Sequence, residues 1–343
     1  MNRESLLQDV VRHVDPTSFD ARTIINAYRD MAFQARNLAN AADIADMMFA
    51  DKDCGVILTL AGSLCSAGLK DAIALMIEQD MVDVIVSTGA NIVDQDFFEA
   101  LGFRHYKGSP HVDDQMLREL AIDRIYDTYI SEDDLRVCDM TIAEIADSLP
   151  VRPHSSREFI IAMGAFLDKQ GVKADKSIVH AAYKKGVPIF CPAFSDCSAG
   201  FGLLHHQWNS AQTLTIDSVA DFRELTQIKL ALEQSGLLMI GGGVPKNFAQ
   251  DVVVATEIIG EDRPMHRYAI QITVADERDG ALSGSTLKEA CSWGKVDTTY
   301  EQMVFGEATT ILPLLVSDAW HRGSSRERIE RRLNDLFVEL KTR

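Results

Sequence analysis

Short apolar runs of strand type alternate with segments of helical periodicity along most of this chain. Residues 1–50 are predicted to be helical, because Thr23–Tyr28 and Leu38–Met48 place apolar side chains at helical spacing. After them come continuous apolar runs, nearly all followed by small or glycine-rich residues and then a helical pattern. The runs are Gly55–Leu60, Val82–Ser87, Val187–Cys191, Leu237–Ile240 and Tyr268–Thr273.

This alternation predicts an α/β fold with a mostly parallel central sheet and helices on both faces, because continuous apolar strands need cover on each side. The sequence contains no Pro/Gly/Ser linker long enough to separate two domains. The composition change over Asp139–Arg157 fits a connection inside one domain. We therefore expect a single domain over residues 1–343, with a C-terminal helix over residues 320–343.

The turns that follow four of these strands are the expected ligand sites, since such sheets bind ligands at the carboxyl ends of their strands. Small residues let backbone amides approach a pyrophosphate closely, and helix N-termini favour its charge. No turn matches the GxGxxG pattern, so each alone is typical of an ordinary tight turn. Together they indicate a nucleotide site. The turns are Ala61–Gly68, Ser87–Asn91, Pro192–Ser198 and Gly241–Gly243.

Composition narrows the classes of function. The net charge of −17 argues against nucleic-acid binding, which requires a basic face. An acidic cleft concentrates cationic substrates, although simple solubility explains most such charge. The sequence lacks both a run of about 18 apolar residues and an N-terminal signal core, which predicts a cytoplasmic protein without membrane contact. Its six scattered cysteines, without a CxxC pair, predict reduced thiols and no metal site.

The segment Glu289–Lys295 combines a carboxylate, an indole and an amine within seven residues. If it is helical as far as Trp293, Glu289 and Trp293 share a face, and Gly294 ends the helix so that Lys295 projects back over them. An anion and an aromatic face suit an organic cation, and a desolvated lysine there gains nucleophilicity. A surface helix end with a snorkelling lysine is the simpler explanation of the spacing alone.

In order along the chain, four segments resemble the deoxyhypusine synthase family, and the resemblance runs from about Phe33 to Leu315. It implies a Rossmann-like fold, NAD as cofactor, and a homotetramer with active sites at subunit interfaces. In the family, spermidine is oxidised by hydride transfer to NAD, and a lysine forms an imine with the butyl fragment. An acceptor amine then takes this group, and the hydride is returned; related enzymes use putrescine and make homospermidine. The segments are Met81–Val86, Pro188–Ala193, Ile240–Val244 and Glu289–Lys295.

The same resemblance implies roles for individual residues. It implies that Lys295 is the imine-forming lysine, that Trp293 lies beside the polyamine, and that Glu289 pairs with an amine. Asp94 and Asp96 are alternatives for contact with the adenosine ribose. The cofactor-binding positions that it implies lie on or beside the strand-end turns: Ser63, Ser66, Thr88, Gly89, Asp94, Asp96, Asp196, Gly241, Gly242, Gly243 and Glu307.

Several substrate-site positions depart from the family. Phe201 and Leu282 stand where the family has aspartates, while Asn247 replaces a histidine and Asp251 an asparagine. Asn247 cannot transfer protons at neutral pH. His205 or His206 could take that part, although adjacent helical histidines more often divide into one packed and one solvent-facing side chain. The expected substrate-binding residues are Glu289, Trp293, Asp251, Asn247 and Ser198.

We therefore expect an NAD-dependent transferase that moves an aminobutyl-type group from a spermidine-like polyamine to a small acceptor amine such as putrescine. The altered amine contacts, and an N-terminal segment shorter than that of the family, favour a small acceptor. Three alternatives stay open: a true deoxyhypusine synthase acting on a protein lysine, an NAD-dependent amine dehydrogenase, and a non-catalytic NAD-binding scaffold.

Overall fold

The structure, a computed structural model, describes residues 2–283 and 285–341. Its α-helices are α1 Arg3–Leu6, α2 Arg22–Tyr28, α3 Phe33–Ala50, α4 Lys70–Glu78, α5 Phe98–Ala100, α6 Asp114–Glu119, α7 Glu132–Ser148, α8 Ser156–Gln170, α9 Ile178–Lys185, α10 Ser198–Asn209, α11 Ser218–Ala231, α12 Gly243–Ile258, α13 Leu287–Ser292, α14 Ala308–Arg322 and α15 Leu336–Lys341. Its strands are β1 Cys54–Leu60, β2 Val84–Ser87, β3 Tyr106–Lys107, β4 Ile122–Ile125, β5 Thr128–Ser131, β6 Pro153–His154, β7 Ile189–Phe190, β8 Thr215–Ile216, β9 Gln234–Ile240, β10 His266–Thr273 and β11 Val296–Phe305.

The central sheet has six strands in the order β11-β10-β9-β1-β2-β7, and every neighbouring pair is parallel. Read from β7, the strands come third, second, first, fourth, fifth and sixth in the chain. This is the order of the doubly wound, Rossmann-type fold, and the chain reverses direction across the sheet between β1 and β9. The predicted fold class is therefore confirmed.

Alternating side chains of the central strands enter two separate cores. On β1, Val56 and Leu58 face the core formed with α3, α4, α8, α9 and α14, while Ile57 faces the core formed with α11, α12 and α13. All seven residues of β1 are buried. Burial on both faces explains why the sequence shows continuous apolar runs rather than alternation.

A long insertion separates β2 from β7 in the central sheet. It contains the antiparallel sheet β3-β5-β4 and the helices α5 to α9. The short parallel pair β6–β8 joins its far end to the segment that precedes α11. Within residues 2–283 and 285–341, no helix is both long and apolar enough to cross a bilayer.

One sequence expectation needs correction, and one strand has no counterpart in the apolar runs. The edge strand β11 is absent from those runs because Val296–Phe305 mixes polar and apolar residues, as suits a partly exposed strand. The expected helix over residues 320–343 is wrong. Instead, α14 ends at Arg322, a 3-10 turn follows over Ser324–Glu327, and the short helix α15 begins only at Leu336. Residues 342 and 343 lie outside the described part of the chain.

Candidate functional site

A helix-ending glycine turn sets the position of Lys295. The helix α13 is preceded by its N-cap residue, Thr286, and followed by its C-cap residue, Trp293. Gly294 has a φ of +69°, and its amide donates to the carbonyl of Cys291. The amide of Lys295 donates to the carbonyl of Ala290 at 3.1 Å. This pair of bonds is the Schellman arrangement, which favours glycine at the left-handed position, and it turns the chain from α13 into β11.

The amine of Lys295 lies between a carboxylate and an aromatic ring. Its Nζ is 2.6 Å from Oδ1 of Asp251, on α12, and 5.3 Å from the centre of the Trp293 ring. The lysine side chain is 14% exposed and that of Asp251 is 42% exposed. An amine at the edge of solvent, with an acceptor for its proton and an aromatic face beside it, can bind or attack an organic cation.

Glu289 does not pair with Lys295. Its carboxylate accepts from the backbone amide of Thr286 at 2.6 Å, and the Thr286 hydroxyl accepts from the Glu289 amide at 3.1 Å. These hydrogen bonds form a capping box and lower the pKa of Glu289. Glu289 is nevertheless exposed, and the Trp293 side chain is 65% exposed. Both side chains are therefore accessible from solvent beside Lys295.

The first two turns of α12 connect the glycine-rich turn with the lysine. Asn247 and Asp251 are one helical turn apart on the same face, and Asp251 lies eight residues after Gly243. At 1.5 Å per residue, this separation is about 12 Å along the helix. Leu282 is 1% exposed and belongs to the core beneath α12, so it faces away from any substrate.

Lys246 is a buried residue of α12 that the sequence did not single out. Its Nζ donates to the carbonyl oxygens of Leu282 and Ser285. Burial, with Lys295 nearby, lowers the pKa of Lys246 to about 8. Within residues 2–283 and 285–341, no carboxylate forms an ion pair with it. Lys246 thus fastens the segment before α13 onto α12. In the sequence, the only indication of this role is that a lysine follows the Gly241–Gly243 turn closely.

Ser198 lies far from Lys295 within one chain. It begins α10, which follows β7, whereas Lys295 directly precedes β11 and packs near the start of β10. Because β7 and β10 are four strands apart in the sheet, these two strands alone are about 19 Å apart at the usual strand spacing. Phe201, on the same helix, is 58% exposed, and its ring lies 5.7 Å from the Arg136 guanidinium.

The adjacent histidines of α10 divide as such pairs usually do. His206 is 5% exposed and its Nδ1 contacts Asp147 at 2.6 Å, while its Nε2 accepts from the Leu214 amide at 3.2 Å. His205 faces solvent. Because both ring nitrogens of His206 are occupied, it has no free position for proton transfer to a substrate.

At the carboxyl ends of β1 and β2, side chains hold the two turns together. The Thr88 hydroxyl donates to the carbonyl of Gly62 at 3.0 Å. Asn91, which is fully buried, accepts from the Leu64 amide at 2.7 Å and donates to Thr88. A Cβ added at Gly62 would meet nothing within 4 Å, and its φ is +69°. An open, glycine-lined space therefore faces the point where the sheet reverses direction.

Ser66 and Gly89 shape the walls of these turns. Ser66 is 2% exposed, its amide donates to Gln95 at 2.8 Å, and its hydroxyl donates to the carbonyl of Ser63 at 3.3 Å. A Cβ added at Gly89 would come within 2.3 Å of the Cys197 sulfur. Gly89 thus permits a close approach between this turn and the loop before α10.

The Gly241–Gly243 turn is fixed from both sides. Gly241 and Gly243 have φ values of +77° and +68°. The buried Gln271 amide donates to the Gly241 carbonyl at 3.0 Å, and the Gly243 amide donates to the Ser283 hydroxyl. A Cβ at Gly242 would lie 2.7 Å from the Ala281 carbonyl oxygen. Only glycines allow these close approaches, so the turn fits the backbone cradle that a dinucleotide requires.

Both aspartates considered for the ribose accept hydrogen bonds at the start of a helix. Asp96 is fully buried and accepts from Ser177 and from the amides of Ile178 and Val179, at the start of α9. Asp94 accepts from the Ser198 amide at 2.7 Å, and burial raises its pKa to about 7. The structure therefore does not leave Asp96 free for a ribose hydroxyl.

Asp196 and Glu307 are both exposed at the carboxyl edge of the sheet. Asp196 lies in the loop between β7 and α10, and Glu307 caps α14 by accepting from the Thr309 amide at 2.9 Å. A cavity of about 790 Å³ lies elsewhere, between α8, α9 and the C-terminal segment, and Arg157 and Phe337 line it. Its lining does not include Lys295, so we do not assign it to this site.

Fold and site together define a doubly wound, nucleotide-binding α/β protein with an amine-bearing site on α12 and α13. The chain belongs to the deoxyhypusine synthase family, whose family model, "Deoxyhypusine synthase", matches residues 23–319. The resemblance seen in the sequence is confirmed. Membership implies a transferase, and the family is NAD-dependent.

Relatives match over nearly the whole chain. The "deoxyhypusine synthase-like protein" of Chlorobaculum parvum is 63% identical over 339 residues, which are 98% of this chain and 97% of that protein. The protein of the same description from Coxiella burnetii (strain Dugway 5J108-111) is 61% identical over 336 residues, which are 98% of this chain and 96% of that protein. The crystal structure of a "putative deoxyhypusine synthase" from Entamoeba histolytica covers 93% of this chain and 99% of its own, with a TM-score of 0.62. At 17% identity, it supports the fold alone.

Proposed function

We propose that this protein transfers an aminobutyl-type group from a spermidine-like polyamine to a small acceptor amine such as putrescine, with NAD, through an imine on Lys295. The observation that carries the proposal is the Lys295 amine, held 2.6 Å from Asp251 and 5.3 Å from the Trp293 ring. Family membership supports the transferase class, and the amine environment supports a cationic substrate.

Asp251 and Trp293 would prepare Lys295 for reaction. The nitrogen must lose a proton before it can attack, and Oδ1 of Asp251 is the acceptor within hydrogen-bond reach. Attack on an oxidised amine carbon forms a bond to Nζ and releases the remaining diamine. The acceptor amine then attacks the same carbon and frees Nζ. Trp293 offers its exposed face to an ammonium group of the substrate.

The strand-end turns would hold the cofactor. The positions that fit are the open glycine turn at Gly62 with Thr88, and the Gly241–Gly243 turn at the start of α12. Bound NAD supplies the hydride acceptance and return that the side chains here cannot provide. Ser66 and Gly89 shape the turns, while the exposed Asp196 and Glu307 are available to polar groups of a ligand.

Two features favour a small acceptor. Leu282 is buried in the core beneath α12, so this position offers no carboxylate to the acceptor amine. Asn247 offers a side-chain amide beside Asp251 in place of a histidine. The amide oxygen can accept a hydrogen bond from an ammonium group, but the amide cannot supply a proton to the reaction. A protein lysine as acceptor is the other outcome of the experiment below.

The proposal includes a cytoplasmic homotetramer with active sites between subunits. Its support within one chain is that Ser198 and Phe201 follow β7, about 19 Å across the sheet from β10. A site that combines these residues with Lys295 would require a second copy.

Incubation with NAD and spermidine, with and without putrescine, tests the proposal. We expect a new amine only when putrescine is present, and borohydride should trap an adduct on the peptide that contains Lys295. Lys295→Arg keeps the charge opposite Asp251 but cannot form the imine, so it should abolish transfer and leave NAD binding unchanged. Lys288→Ala, an exposed lysine of α13, is the matched control and should retain activity.

Other outcomes identify the alternatives. NADH that accumulates in proportion to the polyamine consumed would indicate an amine dehydrogenase. Label from spermidine that appears only on an added protein would indicate a deoxyhypusine synthase. The absence of both product and adduct from NAD-loaded protein would contradict the proposal in its spermidine form.

A further inference from the structure

A fully buried chain of polar groups runs beneath α12 towards Lys295. Lys229 of α11 donates to the Ser235 hydroxyl at 2.6 Å, and that oxygen lies 2.9 Å from Nδ1 of His266. Nε2 of His266 lies 3.1 Å from the carbonyl oxygen of Ala249, on α12. The three polar side chains are each 0% exposed. Four elements, α11, β9, β10 and α12, are thereby joined through side chains.

The direction of these hydrogen bonds follows from what each group can donate. Lys229 can only donate, and the Ala249 carbonyl can only accept, so Nε2 of His266 carries a proton. Burial holds the pKa of His266 well below its usual value, which keeps the ring neutral and leaves Nδ1 as an acceptor. The Ser235 hydroxyl therefore donates to Nδ1. Ser235 thus selects the tautomer that reaches α12.

His266 also closes a ring of contacts around Lys295. Its backbone amide donates to the Lys295 carbonyl at 3.0 Å. The Lys295 amine contacts Asp251, which lies two residues after Ala249 on α12. His266 therefore holds the lysine backbone with one group and the helix that carries its carboxylate with another. We name His266, Ala249, Asp251 and Lys295 the His266 circuit.

We propose that His266 is a positioning residue, which fixes the distance between the Lys295 amine and the Asp251 carboxylate by tying α12 to β10. The effect on catalysis rests on the proposed function of Lys295, whereas the positioning itself does not. Without the imidazole, α12 loses its side-chain hydrogen bond to β10 at Ala249, so Asp251 is held in place only by apolar packing of α12, by the Lys246 contacts and by the ion pair itself. A displacement of about 1 Å at a reacting group is enough to slow catalysis on the order of a hundredfold.

Competitive labelling tests the positioning without any polyamine or cofactor. Trace acetic anhydride acylates unprotonated amines, and peptide mass spectrometry gives the ratio of labelling at Lys295 to that at the exposed Lys288. An amine that lies 2.6 Å from a carboxylate is covered on that side, so an amine released from this contact is more accessible to the reagent. We expect His266→Leu to raise the ratio roughly threefold to tenfold, towards the value of Asp251→Ala. His266→Gln, whose amide can still donate to the Ala249 carbonyl, should stay near the wild type.

The remaining variants separate positioning from loss of stability. Leu225→Ala removes a buried side chain of the same core without touching the circuit, so it should lower stability and leave the ratio unchanged. If His266→Leu does not fold, Ser235→Ala decides, because it removes the donor to Nδ1 and should raise the ratio in the same direction. In turnover, folded circuit variants should lose kcat on the order of tenfold with a smaller change in KM.

A Lys295 ratio within about twofold of the wild type in folded His266→Leu, or in Ser235→Ala where that variant is the one that folds, would overturn the positioning role. An increased ratio in a protein that transfers no aminobutyl group would leave the positioning role standing and would count against the proposed function alone.

Discussion

Replacing Arg328 should remove a large part of the stability of the fold. Its guanidinium is 2% exposed, lies 2.5 Å from the Asp83 carboxylate, and donates to the carbonyls of Asp80 at 2.7 Å and Cys54 at 3.1 Å. Asp83, itself 3% exposed, also accepts from the Val56 amide at 2.8 Å. The segment after α14 is thereby fastened to the amino ends of β1 and β2.

The expected magnitude comes from the charge left behind. Arg328→Met would leave a buried carboxylate with only the Val56 amide and the more distant Arg331, and removing one partner of such a pair costs about 3–5 kcal/mol. Domains are stable by about 5–15 kcal/mol, so the loss is a large fraction of the total. The double variant Asp83→Asn/Arg328→Met should recover at least half of the loss, because no charge remains buried.

Urea unfolding, followed by tryptophan fluorescence between pH 5 and pH 8, measures these differences. Burial already raises the pKa of Asp83. Without Arg328 it should rise further, so Asp83 becomes neutral more readily and the cost of Arg328→Met should shrink as the pH falls. Arg332→Met is the matched control, since that side chain is 45% exposed and its surface ion pairs contribute about 1 kcal/mol at most. A loss below about 1 kcal/mol, or a double variant less stable than the single one, would refute the reasoning.

Two further predictions concern the turns and the pH dependence of stability. Gly89→Ala should cost about 1–3 kcal/mol by overpacking against Cys197, and Cys197→Gly should relieve part of that cost in a double-variant cycle; additive losses would count against the contact. Burial raises the pKa of both Asp94 and Asp221 to about 7, from 3.8 in the unfolded chain, so the folded state binds more protons between those values. Stability should therefore fall as the pH rises from about 4 to about 7, and replacing both residues by asparagine should flatten this decline in urea midpoints; an unchanged slope would show that other groups cause it.

The sequence predicted the parts of the fold that depend on neighbouring residues. The apolar core of β1 is readable because burial on both faces requires a continuous apolar run, and Gly294 is readable as a helix stop because few other residues adopt its left-handed backbone. The capping box of Glu289 is equally local, since Thr286 stands three residues before it in the T-x-x-E pattern. The edge strand β11 was missed because its polar positions break the run.

The rest depends on contacts between distant parts of the chain. Asp94 and Asp96 lie in the helical segment that follows β2, where the resemblance placed a ribose contact, yet they accept from Ser198 and Ile178, which lie 104 and 82 residues further on. The order of the strands, and the contact of Lys295 with Asp251, likewise require the packed structure. Local patterns thus predict which residues are chemically able to act, while packing decides which of them remain free to do so.

The neighbours of β1 in the sheet have a consequence for synthesis on the ribosome. One edge of β1 pairs with β2, and the other edge pairs with β9. The β9 residue Gln234 follows its β1 partner Cys54 by 180 residues, so this second edge stays unpaired until β9 has been synthesised. At translation rates of about 5–20 residues per second, the nascent chain carries an unpaired apolar strand edge for roughly 10 to 40 s. The insertion between β2 and β7 is made during that interval. Aggregation during expression should therefore depend on how well chaperones cover β1 before β9 leaves the exit tunnel.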